Sequence, residues 1–256
     1  MTKVIMHGCN GKMGQRITQI VAEDKDIEIV AGVDISDHIE NTYPVFKSIT
    51  DCDVEADAII DFSAVGCIDA LLDYCVEKKV PVVLCTTGMT PEQIEKAKAS
   101  SAQVAVLKSA NMSLGINLLQ KLLQDATKVL AQAGFDIEIV EKHHNLKKDS
   151  PSGTALALAD SVNEALDEPY EYVFDRSTRS QQRPVKEIGI SAVRGGTIVG
   201  DHDVIFAGED EVITFSHTAY SKAVFAKGAI QAAKFLKGKA AGMYDMSDVI
   251  AANTQK

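Results

Sequence analysis

The segment that decides the fold is KVIMHGCNGKMG, residues 3–14. Its apolar first half predicts a β-strand, and three glycines with the spacing G-x-x-G-x-x-G follow directly, at Gly8, Gly11 and Gly14. Glycines at a strand–helix junction let the backbone approach a pyrophosphate closely. Asn10 stands where the usual motif has its second glycine, so the spacing alone is weak evidence for a nucleotide site.

The residues that follow supply the rest of a dinucleotide-binding unit. The apolar spacing of QRITQIVAED (15–24) predicts a helix, and IEIVAGV (27–33) predicts a second strand that ends at Asp34. An acid about twenty residues after the glycines accepts the ribose hydroxyls of adenosine. The order strand, glycine loop, helix, strand and acid therefore predicts a dinucleotide-binding βαβ unit. A glycine-rich turn in another kind of α/β protein is the alternative.

Strands and helices continue to alternate as far as about residue 113. The pattern predicts strands at 57–62, 80–85 and 104–107, and helices at 66–78 and from Thr90. Parallel strands place ligands at their carboxyl ends. We therefore expect one rim of the sheet to carry the polar residues that follow these strands, although each could merely cap a helix. These residues are Ser63, Thr86, Thr87 and Asn111.

A second segment, EKHHNLKKDSPSGT (141–154), concentrates residues that carry chemistry. It joins a predicted strand at 135–142 to a predicted helix at 155–166. His and Lys are the usual titratable proton donors, and N–H groups at a helix start favour a carboxylate or phosphate. The predicted proton donors and anion-binding residues are His143, Lys147, Gly153 and Thr154.

Two other interpretations of this segment stay open. A histidine pair at a strand end can be merely solvated, and Lys147 with Lys148 could form a wet loop. Zinc bound by Glu141, His143 and His144 is the second alternative. Adjacent residues on an extended chain point to opposite sides, so three ligands on one face are disfavoured, and we predict no metal site.

The second half of the chain predicts an α+β domain. A long amphipathic helix at 113–131 leads out of the first domain, and β-type runs at 185–194, 197–208 and 211–217 are separated by short turns. Short turns predict consecutive antiparallel pairing, in a sheet whose open face another subunit would cover. The basic segment 175–184 has no function that the sequence reveals.

The predicted fold class is therefore α/β, with an N-terminal Rossmann domain and a smaller α+β domain for substrate binding and oligomerisation that contains a mostly antiparallel sheet. We expect the dinucleotide-binding domain to span 1–113 and to be completed by the returning segment 221–256. The second domain is expected to span 114–220.

Composition excludes several function classes. A net charge of −10 argues against nucleic acid as a partner. No apolar run reaches the roughly eighteen residues of a membrane span, and no signal peptide is recognisable, so we expect no membrane partner. The five cysteines form no C-x-x-C pair, which predicts free thiols in a reducing cytoplasm.

With GCNGKMG (8–14), CTTG (85–88), SANMS (109–113) and EKHHNLKKDSPSGTA (141–155) in view, the chain resembles the 4-hydroxy-tetrahydrodipicolinate reductases. The resemblance covers essentially the whole chain, and H-H-x-x-K…P-S-G-T-A is its most specific part. It implies reduction of a small cyclic dicarboxylate to tetrahydrodipicolinate with NADH or NADPH, on the pathway to diaminopimelate and lysine. It also implies a homotetramer joined through the second domain's sheets.

The resemblance implies roles for individual residues. His143 is the main acid/base, and Lys147 is the partnering proton donor. The substrate carboxylates are held by His144, Gly153 and Thr154. The residues expected to contact the nucleotide are Gly8, Cys9, Asn10, Gly11, Lys12, Met13, Asp34, Cys85, Thr86, Thr87, Ser109, Ala110, Asn111 and Met112.

Three residues depart from the family pattern. Leu146 stands where many members carry a third histidine, and Cys85 replaces a common glycine beside the cofactor. Lys222 replaces an arginine, which keeps the charge but loses the bidentate fork.

Asp34 also predicts a cofactor preference. Its carboxylate can accept hydrogen bonds from the ribose hydroxyls of NADH and would repel the 2′-phosphate of NADPH, while Lys12 can offset part of that repulsion. We predict use of both cofactors with NADH favoured. Another NAD(P)-dependent reductase, such as an aspartate or homoserine dehydrogenase, and a nucleotide-sensing protein without turnover stay open as alternatives.

Overall fold

The computed structural model describes residues 1–254, and the chain divides into two compact units, Met1–Leu114 with the chain from Ala223 onward, and Gly115–Lys222. The strands are β1 (Thr2–His7), β2 (Ile27–Val33), β3 (Val45–Phe46), β4 (Ala58–Asp61), β5 (Val82–Leu84), β6 (Ala105–Lys108), β7 (Asp136–His143), β8 (Glu171–Val173), β9 (Glu187–Arg194), β10 (Gly200–Ala207), β11 (Val212–Ala219) and β12 (Gly242–Tyr244). The helices are α1 (Lys12–Val21), α2 (Ile68–Lys78), α3 (Pro91–Ser101), α4 (Leu114–Leu130), α5 (Gly153–Asn163), α6 (Ala223–Leu236) and α7 (Met246–Thr254). Among these described helices, none is both long and apolar enough to cross a membrane.

The first unit is built on a seven-stranded parallel sheet with the order β12-β6-β5-β4-β1-β2-β3. Six of these strands follow the order 3-2-1-4-5-6 of dinucleotide-binding folds, and β12 adds an edge strand. The direction of winding reverses between β1 and β4, so a crevice opens at the carboxyl ends of these two strands. The predicted Rossmann fold is confirmed.

Helices cover both faces of this sheet, which is why its strands are almost continuously apolar. Val4, Met6 and Ile60 pack with α1, α6 and α7 on one face. Ile5 and Ile59 pack with α2 and α3 on the other. Because α6, α7 and β12 come from the last part of the chain, that part completes the core of the first unit.

The second unit contains a five-stranded sheet with the order β11-β10-β7-β9-β8. β10 pairs antiparallel with β11 and with β7, whereas β9 pairs parallel with β7 and with β8. The sheet is therefore mixed rather than mostly antiparallel. Consecutive antiparallel pairing is correct for β10 and β11 but wrong for β9 and β10, because β7 lies between them.

The central place of β7 follows from the cover that its inward side chains need. Ile137 and Ile139 are fully buried, and they lie between Ile188 and Ile190 of β9 on one side and β10, including Val204, on the other. Buried apolar side chains on a central strand gain contacts from both neighbours. The short turns in the sequence could not reveal that β7 lies between β9 and β10, since a short connection can also cross the end of one intervening strand.

The connection from β9 to β10 does cross the carboxyl end of β7. The backbone N–H of Gly195 donates to the carbonyl oxygen of His143 at 2.9 Å, and the N–H of Asn145 donates to the carbonyl of Gly196 at 3.2 Å. Arg194 and Gly200, at the two ends of this connection, therefore both lie beside His143.

The basic segment 175–184 lies against acidic side chains of this sheet. Arg176 pairs with Glu138 at 2.8 Å and with Glu187. Arg183 donates to Glu138 at 2.9 Å. The arginines of this segment thus anchor it to the face of the sheet opposite the apolar core.

The close approach of α6 to the segment after β6 gives a stability prediction. A Cβ at Gly228 would lie 1.6 Å from the carbonyl oxygen of Met112, and a clash with backbone cannot be relieved by a rotamer change. We expect Gly228→Ala to lower the free energy of unfolding by at least about 2 kcal/mol, because overpacking forces backbone shifts. Urea unfolding measures the loss. Gly66→Ala is the control, since a Cβ there meets open space; equal stability of the two variants would contradict the packing described.

Candidate functional site

The glycine loop between β1 and α1 needs two of its glycines for steric reasons. Gly8 has a φ of 83°, and a Cβ there would lie 2.5 Å from the carbonyl oxygen of Phe62. A Cβ at Gly14 would lie 2.3 Å from the carbonyl oxygen of Gly8. The helix α1 begins at Lys12 with the exposed Gly11 as its N-cap, and within residues 1–254 no side chain caps it. An uncapped helix start beside a glycine loop suits a phosphate group.

Asp34, directly after β2, holds this loop in place. Its Oδ2 accepts a hydrogen bond from the backbone N–H of Asn10, and its Oδ1 accepts one from that of Ser36, both at 2.9 Å. The Asn10 side chain donates to the carbonyl oxygen of Ser36 at 2.6 Å. Asn10 therefore fits the second-glycine position because its side chain turns toward the residues after β2. A carboxylate accepts about four hydrogen bonds, so Asp34 keeps acceptor capacity for ribose hydroxyls.

Cys9 can serve a cofactor only through its backbone. Its side chain is fully buried, and a Cβ at Gly32 on the neighbouring strand would lie 2.7 Å from its sulfur. Burial, with a smaller contribution from Asp34, raises the pKa of the Cys9 thiol to about 11. The thiol is therefore an inert packing group.

A buried carboxylate ties together the rim residues that follow β4 and β5. Asp61, fully buried at the end of β4, lies 2.9 Å from Nδ1 of His7. It accepts hydrogen bonds from the hydroxyls of Ser63 at 2.6 Å and Thr86 at 2.7 Å. Burial opposes ionisation of Asp61, but hydrogen bonds from these three residues outweigh it and hold the pKa of the carboxyl below its ordinary value.

The remaining predicted nucleotide contacts also follow parallel strands. Cys85 and the exposed Thr87 follow β5, and residues 109–112 follow β6. Ala110 in that segment is exposed, whereas Met112 is buried. The structure thus places every predicted nucleotide contact after the carboxyl ends of β1, β2, β5 and β6 or in the first turn of α1. The glycine loop, the uncapped helix start and the acid with spare acceptors fit a dinucleotide.

In the second unit, His143 is the last residue of β7 and is 8% exposed. Its Nδ1 lies 2.6 Å from Oε2 of the fully buried Glu141. Burial opposes ionisation of Glu141, but hydrogen bonds from Arg194, His143 and Ser152 outweigh it and hold its pKa below the ordinary value. Because an ionised carboxylate only accepts, His143 donates through Nδ1, and Nε2 is the nitrogen available for a reacting group.

Lys147 already contacts a carboxylate of the chain itself. Lys147 Nζ donates to both oxygens of Asp149 at 2.8 Å. This hydrogen bonding, with a smaller contribution from the backbone of Gly153, holds the pKa of the Asp149 carboxyl below its ordinary value. Ser152 caps α5, its Oγ accepting from the N–H of Ala155 at 3.1 Å. Lys147, one of the predicted anion-binding groups, is therefore already bonded to a carboxylate.

Two imidazoles that the sequence analysis did not single out lie near His143. The rings of His143 and His202 meet edge to face with centroids 5.2 Å apart, and His217 faces His202 across the β10–β11 pairing. The Nε2 of His202 lies 3.1 Å from Oγ of Ser152. The Nδ1 atoms of His144, His202 and His217 are buried without a hydrogen-bond partner among residues 1–254. Buried polar atoms of this kind indicate a place for a ligand or water.

Strand alternation carries the signal that could have revealed the missed residues. Glu141 and His202 lie on the same faces of β7 and β10 as the buried apolar residues Ile137, Ile139, Val204 and Phe206. A charged or polar side chain at such a position needs specific partners. The sequence pattern suggests Glu141 only as a zinc ligand, whereas in the structure its carboxylate bonds to His143 and Arg194. Residues 1–254 contain no cluster of three or more His, Cys, Asp or Glu side chains arranged to hold a metal ion.

Comparison with protein families matches almost the whole chain. The model described as "Dihydrodipicolinate reductase, N-terminus" matches residues 2–112, and the one described as "Dihydrodipicolinate reductase, C-terminus" matches residues 115–250. The chain belongs to the dihydrodipicolinate reductase family. It is therefore an NAD(P)H-dependent oxidoreductase, and the resemblance inferred from its motifs is confirmed.

Curated relatives agree over their full length. A 4-hydroxy-tetrahydrodipicolinate reductase of Caldanaerobacter subterraneus subsp. tengcongensis is 51% identical over 254 residues, which cover 98% of each chain. One of Clostridium tetani is 52% identical over 246 residues, which cover 96% of each chain. One of Aquifex aeolicus is 41% identical, over 97% of this chain and 98% of the relative.

Solved structures support the fold. A dipicolinate-bound dihydrodipicolinate reductase from Paenisporosarcina sp. TG-14 superposes with a TM-score of 0.78 at 24% identity, over 96% of this chain and 97% of that one. A diaminopimelate dehydrogenase of C. glutamicum has a TM-score of 0.58 at 14% identity, over 96% of this chain and 92% of that one. At these identities the likeness is one of fold.

The buried His202 predicts a pH dependence of stability in this family member. Burial, followed by the nearby His143, lowers the pKa of His202 to about 4. The unfolded imidazole, with a pKa of about 6.5, binds more protons than the folded one between these values, so stability falls as pH falls through this window. We expect His202 to account for about 2 kcal/mol of the loss between pH 7 and pH 5. Urea unfolding of the wild type and His202→Gln at both pH values measures it; equal losses in the two proteins would contradict the assignment.

Proposed function

We propose that this family member reduces 4-hydroxy-tetrahydrodipicolinate to tetrahydrodipicolinate with NADH or NADPH, on the route to diaminopimelate and lysine. Its full-length relatives carry that substrate in their names. The observation that carries the proposal is the convergence of His143, Lys147 and the start of α5 in the second unit. Together they combine a positioned imidazole with a binding site for a carboxylate.

His143 is the proton donor in this proposal. Conversion of 4-hydroxy-tetrahydrodipicolinate to tetrahydrodipicolinate removes the 4-hydroxyl group as water, which leaves an unsaturated ring. Bound NADH or NADPH would supply a hydride to a carbon of that ring, and the negative charge that develops on the substrate then requires a proton. Nδ1 of His143 donates its hydrogen bond to Glu141 inside the protein. Nε2 is therefore the nitrogen that can transfer a proton to the substrate. The carboxylate also stabilises the imidazolium before the proton leaves. General acid catalysis of this kind is worth about 10²–10⁴-fold in rate.

The substrate carboxylates bind, in this proposal, at Lys147 and at the first residues of α5, Gly153 and Thr154. The Asp149 carboxylate already lies against Lys147 and near Gly153, which supports a carboxylate-binding role for these groups. His144 adds a buried Nδ1 that has no partner among residues 1–254. A cation, a helix start and an imidazole form a site for an anion with more than one carboxylate.

A nucleotide sensor without turnover is the alternative from another functional class. Such a protein would need the glycine loop and Asp34 but neither the Glu141-bound His143 nor Lys147. The buried ion-paired carboxylate behind His143 is costly to assemble and has a ready explanation in proton transfer. The arrangement of the second unit therefore favours the enzyme.

The catalytic assignment predicts how two variants differ. We expect His143→Gln to lower kcat by about 10²-fold or more with a smaller change in KM, because it removes the proton donor. Lys147→Ala should lower kcat and raise KM, since Lys147 also holds a carboxylate. The assay follows NAD(P)H consumption with the product of dihydrodipicolinate synthase as substrate.

Lys148→Ala is the matched control for these variants, because Lys148 is an exposed neighbour of the same charge. It should keep the wild-type kcat and KM. Near-normal turnover of His143→Gln would refute the role of His143, and a wild type that does not consume NADH or NADPH with this substrate would refute the proposed function.

The preference for NADH is a further proposal, and it depends on Asp34. Its carboxylate is held by the N–H groups of Asn10 and Ser36, so its negative charge is fixed beside the glycine loop. A 2′-phosphate there is repelled, and the exposed Lys12 can offset part of that repulsion. The repulsion by Asp34 and the attraction by Lys12 each amount to up to about 4 kcal/mol at an effective dielectric of 20, and screening by salt reduces both. Because they oppose each other, a modest preference for NADH remains.

Removal of the Asp34 charge and removal of the Lys12 charge should shift the cofactor preference in opposite directions. Asp34→Asn keeps the shape of the side chain, and we expect it to narrow the gap in kcat/KM between NADH and NADPH. Lys12→Ala should widen the gap by weakening NADPH more. Asp37→Asn, which removes an exposed carboxylate paired with Lys47, is the control and should leave the ratio unchanged. A wild type with a strong preference for NADPH would overturn the role of Asp34.

A homotetramer and a cytoplasmic location complete the proposal. The sheet of the second unit has a face opposite its apolar core, and the exposed Val193 and Val212 lie on strands of that sheet. Exposed apolar side chains on a sheet face suit a contact between subunits.

A further inference from the structure

Glu141 is the most completely bonded carboxylate in the second unit. Its Oε1 accepts from the backbone N–H of Ser152 at 2.9 Å and from Nη2 of Arg194 at 2.7 Å. Its Oε2 accepts from Nδ1 of His143 at 2.6 Å and from Nη1 of Arg194 at 2.7 Å. About four acceptor positions are all that a carboxylate has. With every position filled and none of its surface exposed, the group has one orientation.

That orientation determines which nitrogen of His143 carries the permanent proton. Oε2 can only accept, so Nδ1 of His143 must donate, and Nε2 is left for proton exchange. Nε2 lies 3.0 Å from the position of a Cβ built on Gly200, so the missing side chain at Gly200 leaves room for this end of the ring. The ring is thus held at one end and left clear at the other.

Arg194 connects the Glu141–His143 pair to the loop that carries Lys147. Besides its two bonds to Glu141, its Nη2 donates to the carbonyl oxygen of Asp149 at 2.8 Å. The carboxylate of Asp149 in turn accepts from Lys147. Three residues after Asp149, the N–H of Ser152 bonds to Glu141, just before α5 begins at Gly153. A single ion pair therefore contacts the imidazole, the loop and the helix start.

We infer that Glu141, locked by Arg194, is the positioning residue that sets the tautomer of His143 and fixes the loop of Lys147 relative to it. This inference deepens the proposed function and rests on it. A buried ion pair is not in itself good evidence for stability, because desolvation offsets most of the attraction. The tautomer and the loop contacts are what an apolar replacement could not supply.

Glu141→Gln tests the inference, because it keeps the shape and removes the acceptor-only character. An amide must present one N–H₂ group to donors that already point at it, so the bond to His143 or to Arg194 is lost. We expect kcat to fall about 10²-fold while KM changes by less than about fivefold, as a misplaced catalytic group requires. Nitrogen-15 NMR, at a pH where the imidazole is neutral, should show the Nδ1–H tautomer of His143 in the wild type and its loss in the variant.

Glu138→Gln is the matched control. Glu138 lies on the same strand with its side chain on the opposite face, where it pairs with Arg176 and Arg183. We expect this variant to keep the wild-type kcat and the His143 tautomer. An equal loss of kcat in the two variants would mean that any broken ion pair on β7 suffices, and it would overturn the inference.

The outcomes separate this inference from the proposed function. A wild type that does not turn over the substrate refutes the function, whereas the tautomer still tests the role of Glu141. An Nε2–H tautomer in the wild type overturns the inference, and it does so even if Glu141→Gln fails to fold. Unchanged kcat and tautomer in a folded Glu141→Gln protein would also overturn it.

Discussion

A buried carboxylate has to be surrounded by donors, and in the second unit that requirement connects the elements of the site. Glu141 is fully buried on β7, where a single unpaired charge would be strongly destabilising. Its donors come from the end of β7, the end of β9 and the residue before α5. The parallel pairing of β7 with β9 sets Arg194 beside His143 and so within reach of Glu141. The mixed topology of this sheet therefore determines the geometry of the site.

The first unit meets the same constraint with a different set of groups. Asp61 is fully buried at the end of β4, and His7, its partner in register on β1, is at the point where the winding of the sheet reverses. The hydroxyls of Ser63 and Thr86 complete its partners and thereby fix the segments that follow β4 and β5. In both units, one carboxylate at a carboxyl end organises the polar groups around it, while apolar packing forms the rest of the sheet.

The sequence predicts much more of the first unit than of the second. Local order suffices for a βαβ unit, because glycines, alternation and Asp34 occur within one short segment and the crossover has a preferred hand. The pairing of β9 was not predictable in this way, since it depends on which strand covers Ile137 and Ile139. The very short strands β3, β8 and β12 have two or three residues, too few for alternation to be visible.

The residues of the candidate site likewise fall into those that a local segment reveals and those that only the tertiary structure reveals. His143, Lys147, Gly153 and Thr154 are candidates from the sequence because one short segment, 141–154, carries them all. Arg194 and His202 are distant in sequence, and only the crossing of β7 by the connection from β9 to β10 brings them near His143. Nothing local in the sequence states that Asn10 would donate to Ser36 rather than face a ligand. Local chemistry is thus visible in the chain, whereas the partners that orient it come from tertiary structure.

The Asp149 carboxylate stabilises Lys147, one of the proposed anion-binding groups, in its present position. Lys147 is 19% exposed, and an ammonium that is largely removed from water is destabilised unless a negative charge is near. Asp149 supplies that charge from a side chain that is itself 60% exposed and so loses little hydration in the contact. Exchange of this carboxylate for one on a ligand replaces one anion by another, without creating or removing a buried charge. The backbone of Asp149 stays fixed meanwhile, because its carbonyl oxygen accepts from Arg194. In the proposed function, a substrate carboxylate would replace that of Asp149 while the ion pair of Glu141 and Arg194, and with it His143, keeps its position.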